Sequence, residues 1–422
     1  MLFSSQSLLA QEPKAVKGTY ALTNGTIVTV TNGTIEKGTV VLENGKIKSV
    51  SSDFVVPKGA TEIDCTGKFI YPGMIDGGTR LGLQEIGAVS LTSDYNEIGD
   101  VNPHMQALTA VNPNSVSIPV TRVNGVTTVL TAPAGGLISG TAALINLVGY
   151  TPQQMYADFK GVVLNFPSSG RRGRWDRRSD EDIKKAEEKN LKKINQIWEE
   201  AMLYTKLDSA SANSSDKPAY QPQMEALLPV IKGEIPLMVE ANKDKDILSA
   251  IKWVKEKKVP KVILTGCNEG WRVAKEIKES GIPVITGPVL RVPSRSSSRY
   301  DVAYKNAGLL QKAGIQVAIR TQEIENVRNL PYNAGFAATY GMGKEEALKA
   351  ITIVPAQIFG VADQLGSIEE GKNATVFVSD GDPFETRTQI EHLFIDGWKV
   401  STESRHTRLY EEFLERTPGI KK

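Results

Sequence analysis

Histidine is nearly missing from this chain: 422 residues hold three, His104, His392 and His406. A metal centre built on several imidazoles cannot be assembled from them, because the last two fall in the C-terminal segment. Cysteine is scarcer still. Cys65 and Cys267 sit far apart on apolar runs, which reads as two buried thiols and not as a disulfide framework. Excess charge is absent as well, since 50 Lys and Arg against 48 Asp and Glu leave a formal net charge of +2. No broad field therefore draws the chain to nucleic acid or to a membrane surface, and neither is expected as a partner. No apolar run reaches the roughly 20 residues of a membrane span.

What is present is an ordinary globular composition, 40% apolar and 23% charged. The opening "MLFSSQSLLAQEP" resembles the tail of a secretory signal cut after Ala10, without a basic leading region. On that reading residues 1–16 are signal-like or unstructured and the protein is periplasmic or secreted. An ordinary frayed terminus of a cytoplasmic protein is the alternative.

Residues 19 to 65 alternate β-branched runs with the Asn-Gly dipeptides at Asn24, Asn32 and Asn44. Asn-Gly supplies the positive φ angles of tight hairpins, so this stretch predicts a β-meander or small sandwich. "GSIEEGKNATVFVSDGDPF" and "IEHLFIDGWKV" repeat the texture near the other end. The two β-rich ends are expected to pair into one discontinuous domain, residues 17–68 with 364–402.

Between them, Pro236, Pro260 and Pro283 each stand just ahead of an apolar strand, with helical patterns in the intervals. "FIYPGMI", "GVTTVL", "TAALINLV", "KGVVLNF" and "GIQVAI" bring the strands to about eight. Near-continuous apolar strands alternating with helices predict a buried parallel sheet. Eight units favour a closed TIM-type (β/α)8 barrel, placed at 69–363, with residues 403–422 as a tail helix. Chemistry in such barrels sits at the C-terminal ends of the strands. One insertion, Ser168 to Tyr204, opens with Arg171, Arg172, Arg174, Arg177 and Arg178 and continues as an amphipathic helix bearing Leu191, Ile194, Trp198 and Ala201 on one face. The arginine loop reads as a solvated surface loop, or as an anion-binding lid through Arg172 and Arg174.

This layout resembles the amidohydrolase superfamily, in its imidazolonepropionase-like branch. The motifs that carry the resemblance are "GKFIYPGMID", "GVTTVLTAPAGGLISGTAALINL" and "EEALKAITIVPAQIFGVADQLGSIEEGKNATVFVSDGDPF", in order and correctly spaced. The resemblance implies hydrolysis of a C–N bond, in a cyclic amide or N-substituted substrate. It also implies one or two metal ions, held by a His-x-His pair after the first strand, often a lysine after the fourth, histidines after the fifth and sixth and an aspartate after the eighth. Bound metal would lower the pKa of a water and polarise the scissile bond.

The matching positions here hold other residues. Gly78 and Arg80 stand for the His-x-His pair, Asn165 is nearest after "KGVVLNF", Glu240 or Asn242 follows the fifth strand, Gly266 the sixth, and Gln322 stands for the aspartate. No metal and no other cofactor is therefore expected. Arg80, with Arg320 beside it, is expected to fill the cavity and pair with Glu240, because a buried charge without a partner is costly; side chains pointing to solvent are the plain alternative. A lone His104 reads as a loop histidine. Glu240, Glu269 and Glu323 are the acidic candidates for a general base or for a hard-cation site.

Three functions compete. The first is a catalytically silent family member acting as a binding or partner subunit, beside an intact amidohydrolase paralogue or in a homo- or hetero-oligomer. The second is a metal-independent amidohydrolase using the mouth carboxylates. The third is a protein that binds an anionic small molecule or glycan through the Arg171 to Arg178 loop without turnover. Across these readings the candidate binding residues are Arg80, Asn242, Gln322, Arg320, Arg172 and Arg174.

Overall fold

The computed structural model describes residues 15–52, 56–171, 176–211, 218–293, 295 and 297–416. Most of the signal-like start, Arg172 and Arg174 of the arginine loop, and the last six residues of the tail lie outside these. Seventeen strands follow one another among the described residues. β1 Val16–Lys17, β2 Tyr20–Val28, β3 Thr34–Glu43, β4 Lys46–Ser51, β5 Thr61–Asp64 and β6 Phe69–Pro72 come first. The α/β middle holds β7 Met74–Thr79, β8 Val126–Thr131, β9 Ile138–Asn146, β10 Tyr156–Asn165, β11 Leu237–Ala241, β12 Val262–Gly266, β13 Val284–Thr286 and β14 Val317–Ile319. β15 Val376–Ser379, β16 Ile390–Ile395 and β17 Trp398–Val400 close the series.

β7 to β14 form one eight-stranded sheet in sequence order, and the ring is nearly closed. At the C-terminal rim the Gln322 N–H donates to Gly78 O at 2.9 Å and the Arg80 N–H to Glu323 O at 3.0 Å. Below the rim residues 350–351 wedge between the two strands, accepting from Ile319 N at 3.0 Å and Ile75 N at 2.7 Å. The inside of the ring is filled by Ile75, Leu130, Leu144, Met238, Ile263 and Ile285, with Phe359 packed against them. It is a packed core and not a pore.

The sheet is not all parallel. β9, expected as one more parallel strand, runs antiparallel to both β8 and β10. The physical reason is length: only residues 132–137 join β8 to β9, whereas a parallel neighbour needs a crossover of about a dozen residues or more. "FIYPGMI" also divides. Phe69–Pro72 pairs with β15 and β2, and the barrel begins after Gly73, where a Cβ would lie 2.2 Å from Thr127 Oγ1.

The other sheet has nine strands in the order β1-β17-β16-β15-β6-β2-β3-β4, with β5 beside β2. Strands from both ends of the chain thus share one sheet. Of the Asn-Gly pairs, Asn32-Gly33 and Asn44-Gly45 make turns between strands, whereas Asn24 at φ 62° bulges within β2. The helix Asp180–Ala210 starts from a Ser179–Asp182 capping box and buries Ile194, Trp198 and Ala201, while Leu191 is half-buried. Among the described residues no helix is long and apolar enough to cross a membrane. A cleft of about 750 Å³ opens at the N-terminal ends of the strands, around Pro236, Pro260 and Pro283, away from the rim where barrel chemistry is placed.

Candidate functional site

The C-terminal rim is organised by one ion pair. Glu240 near the end of β11 and Arg320 just past β14 face each other in fork geometry, Nη1 to Oε2 and Nη2 to Oε1 both at 2.8 Å. Their side chains are 17% and 9% exposed, so the pair is largely withdrawn from water. Glu240 also accepts from Thr265 Oγ1 at 2.7 Å and from Asn242 Nδ2 at 2.9 Å. Burial by itself raises a carboxyl pKa; here the Arg320 charge and these hydrogen bonds outweigh it and bring Glu240 down to about 2. Arg320 moves the opposite way, above its ordinary value, because Glu240 outweighs the burial that opposes its charge.

Glycines make room for the pair. A Cβ on Gly78 would lie 3.2 Å from Arg320 Cδ, so the guanidinium stem occupies space that a side chain at position 78 would take. Gly266 is more constrained: its φ is +82°, and a Cβ there would lie 2.6 Å from Glu240 Oε1 and 2.4 Å from Asn242 Oδ1. Gly266→Ala is expected to lower stability by about 1–3 kcal/mol through backbone strain and displacement of Glu240. Urea denaturation measures it, and an unchanged midpoint would contradict this packing.

Beneath the pair lies Asp76, fully buried in β7. It accepts from Gly78 N at 2.9 Å, Thr321 N at 3.1 Å and Thr321 Oγ1 at 2.5 Å, tying the first strand to the last. Burial dominates these bonds and pushes its carboxyl up to about 7. Sequence reasoning did not single this residue out, although a carboxylate inside the apolar "YPGMID" strand was the available signal.

The other expected site residues are dispersed. Arg80 does not reach Glu240; its guanidinium lies over the Tyr95 ring at 4.6 Å, because the chain turns outward past Thr79, with Leu83 N bonded to Arg80 O at 3.0 Å. Arg80 makes no salt bridge among the described residues. Glu269 is buried and bonded to Arg295, with Nε to Oε1 at 2.6 Å and a second contact from Nη2 to Oε2. Glu323 and Gln322 are exposed, the latter with φ 57°. Asn165 donates into residues 135–139 at the β8–β9 connection. Among the described residues no three His, Cys, Asp or Glu come together as a metal could use them, which overturns Glu240, Glu269 and Glu323 as a hard-cation set. In the arginine loop, Arg171 is bonded to Asp180 and Arg178 to Asp176. His392 lies in β16 and His406 beside Arg328, while His104 Nδ1 is buried with no hydrogen-bond partner among the described residues.

Comparison with known proteins fixes the lineage. Residues 69–402 match the model of the amidohydrolase family. The chain belongs to the amidohydrolase family. Among solved structures, an amidohydrolase from Thermotoga maritima MSB8 superposes with a TM-score of 0.79 at 26% identity, over 90% of this chain and 99% of that one. An adenosine deaminase from Xanthomonas campestris with bound zinc shares the fold alone, with a TM-score of 0.55 at 13% identity over 93% of this chain and 96% of that one. Amidohydrolase tasK of Hapsidospora irregularis is 22% identical over 394 residues, 85% of this chain, which spans 39% of that relative's length. This amidohydrolase-family chain thus carries a buried Arg–Glu fork at its rim, where barrel enzymes place their chemistry.

Proposed function

We propose that this amidohydrolase-family protein has exchanged its metal site for the Glu240–Arg320 ion pair and serves as a binding or partner subunit without hydrolytic turnover. The observation that carries the reading is the fork itself, two 2.8 Å contacts that consume both oxygens of Glu240. The donor set around it does not fit a divalent cation. Position 78 has no side chain, Arg320 brings positive charge against Glu240, and Asn242 is bonded to Glu240. A metal-independent hydrolysis through Glu240 is disfavoured by the same geometry, because a carboxyl held at about 2 is a weak general base at neutral pH. Glu269 is likewise committed, to Arg295.

On this reading the protein acts beside an intact amidohydrolase or on a ligand of its own, with the nine-stranded sheet, β6 included, as a composite β-sandwich drawn from both ends of the chain. Metal analysis of purified protein tests the proposal. Zinc, iron and manganese are each expected far below one ion per chain, with no turnover of N-acyl amino acids or cyclic amides when metal is added. Stoichiometric metal, or turnover that responds to added metal, sinks the reading.

A further inference from the structure

Two loops on the rim carry an unusual surface. Residues 84–100 follow the first barrel strand, and their charged side chains are all acidic: Glu85, Asp94, Glu97 and Asp100, with no Lys or Arg. Residues 287–300 follow the seventh strand and are the reverse, with Arg291, Arg295 and Arg299 and no acid. Both are also greasy. Leu91 is 92% exposed and Ile98 99% on the first, and Val292 is 83% exposed on the second. Of 19 exposed large hydrophobic residues in the described chain, seven lie on these two loops, a concentration that scattered surface residues do not show.

The loops lean to opposite sides of the mouth. The acidic one reaches over the β8–β9 side, where Ala134 N donates to Tyr95 O at 2.8 Å and Leu137 N to Asp100 O at 2.7 Å. The basic one reaches toward β12, through Arg295 to Glu269 and Arg291 Nη2 to Asn268 O at 3.5 Å. In a ring of eight strands these are facing sectors. Some of the charge is used locally, since Asp100 pairs with Lys193, Arg295 with Glu269 and Asp244, and Arg299 with Asp301. Asp94, Glu97 and Arg291 form no salt bridge among the described residues, and the Arg299 side chain remains 75% exposed despite its pair.

We propose that this rim is an interface between two copies of the chain, mouth to mouth about a two-fold axis. A two-fold lying in the contact plane, perpendicular to the line that joins the two loops, places each loop opposite the facing sector of the partner. An acidic loop would then meet a basic one twice, and the exposed Leu91, Ile98 and Val292 would be covered between them. An interface of this kind is self-complementary for this chain, and a like-for-like stacking of the loops would be repulsive. In the dimer the Glu240–Arg320 pair of each copy lies beneath the contact.

Light scattering after size exclusion tests this on the full chain. The wild type is expected as a dimer, and Leu91→Asp with Ile98→Asp as a monomer with an unchanged circular dichroism melt. The charge arm is decisive. Asp94→Arg with Glu97→Arg, and separately Arg291→Glu with Arg299→Glu, should each weaken self-association at least tenfold. Mixing those two variants should restore a one-to-one heterodimer, because both of its loop contacts are again of opposite sign. A wild-type monomer, a dimer indifferent to the Leu91 and Ile98 changes, or a mixture that fails to pair overturns the proposal.

Discussion

Alanine in place of Arg320 is expected to lower folding stability by about 3–5 kcal/mol, because it leaves the Glu240 carboxylate buried without its counter-charge. Glu240→Ala strands the guanidinium and is expected to cost a comparable amount. The pair itself contributes far less than either single loss implies, since two charges were also taken out of water. The double variant Glu240→Gln with Arg320→Met is therefore expected to stand well above both alanine variants. Urea titration of these species reads the outcome. Alanine variants within about 0.5 kcal/mol of wild type would mean that the fork does not hold the rim together. The pair also sets an acid limit. Glu240 is brought from its ordinary 4.5 to about 2, so its contribution is complete above 4.5 and is lost as pH falls from there through 2.

Asp76 works in a different window and with the opposite sign. Its carboxyl is raised from 3.8 to about 7, so the folded state binds the proton more tightly than the unfolded chain does. Its contribution is complete below 3.8 and is lost as pH rises through 7, with a slope of at most about 1.4 kcal/mol per pH unit. Asp76→Asn keeps the size and cannot ionise. The variant's stability relative to wild type is expected to be constant below about pH 4 and to climb steadily in its favour from there to pH 7. Chemical denaturation at half-unit intervals of pH checks this. Parallel profiles for the two proteins across that range would show that Asp76 is ionised throughout, held by Thr321, Gly78 and the nearby Arg320 charge.

The alternation of apolar strands and helices made the barrel legible, because strands buried on both faces leave continuous apolar runs such as Leu237–Ala241. Direction was not legible from those runs, and β9 shows why: parallel and antiparallel buried strands look alike, and only the short 132–137 connection separates them. At the rim, residue types told which charges were present, so Glu240 and an arginine could be named together. Which arginine could not be read, because it depends on where the chain turns after Thr79, and that turn sends Arg80 to Tyr95 while Arg320 stays inside. Asp76 escaped notice because its neighbours in space, Thr321 and Arg320, are remote in sequence.

The shared sheet has a consequence in time. β6 pairs with β2 on one side and with β15 on the other, so the central seam of the sheet joins residue 72 to residue 376. At a synthesis rate of about 5–20 residues per second, that seam stays open for roughly 15–60 s after β6 has left the ribosome. Throughout that interval an apolar edge bearing Ile70 and Tyr71 has no native neighbour to accept. The last strands are thus what releases the first ones from exposure, and a chain stopped short of Val376 would carry an open edge for its whole life.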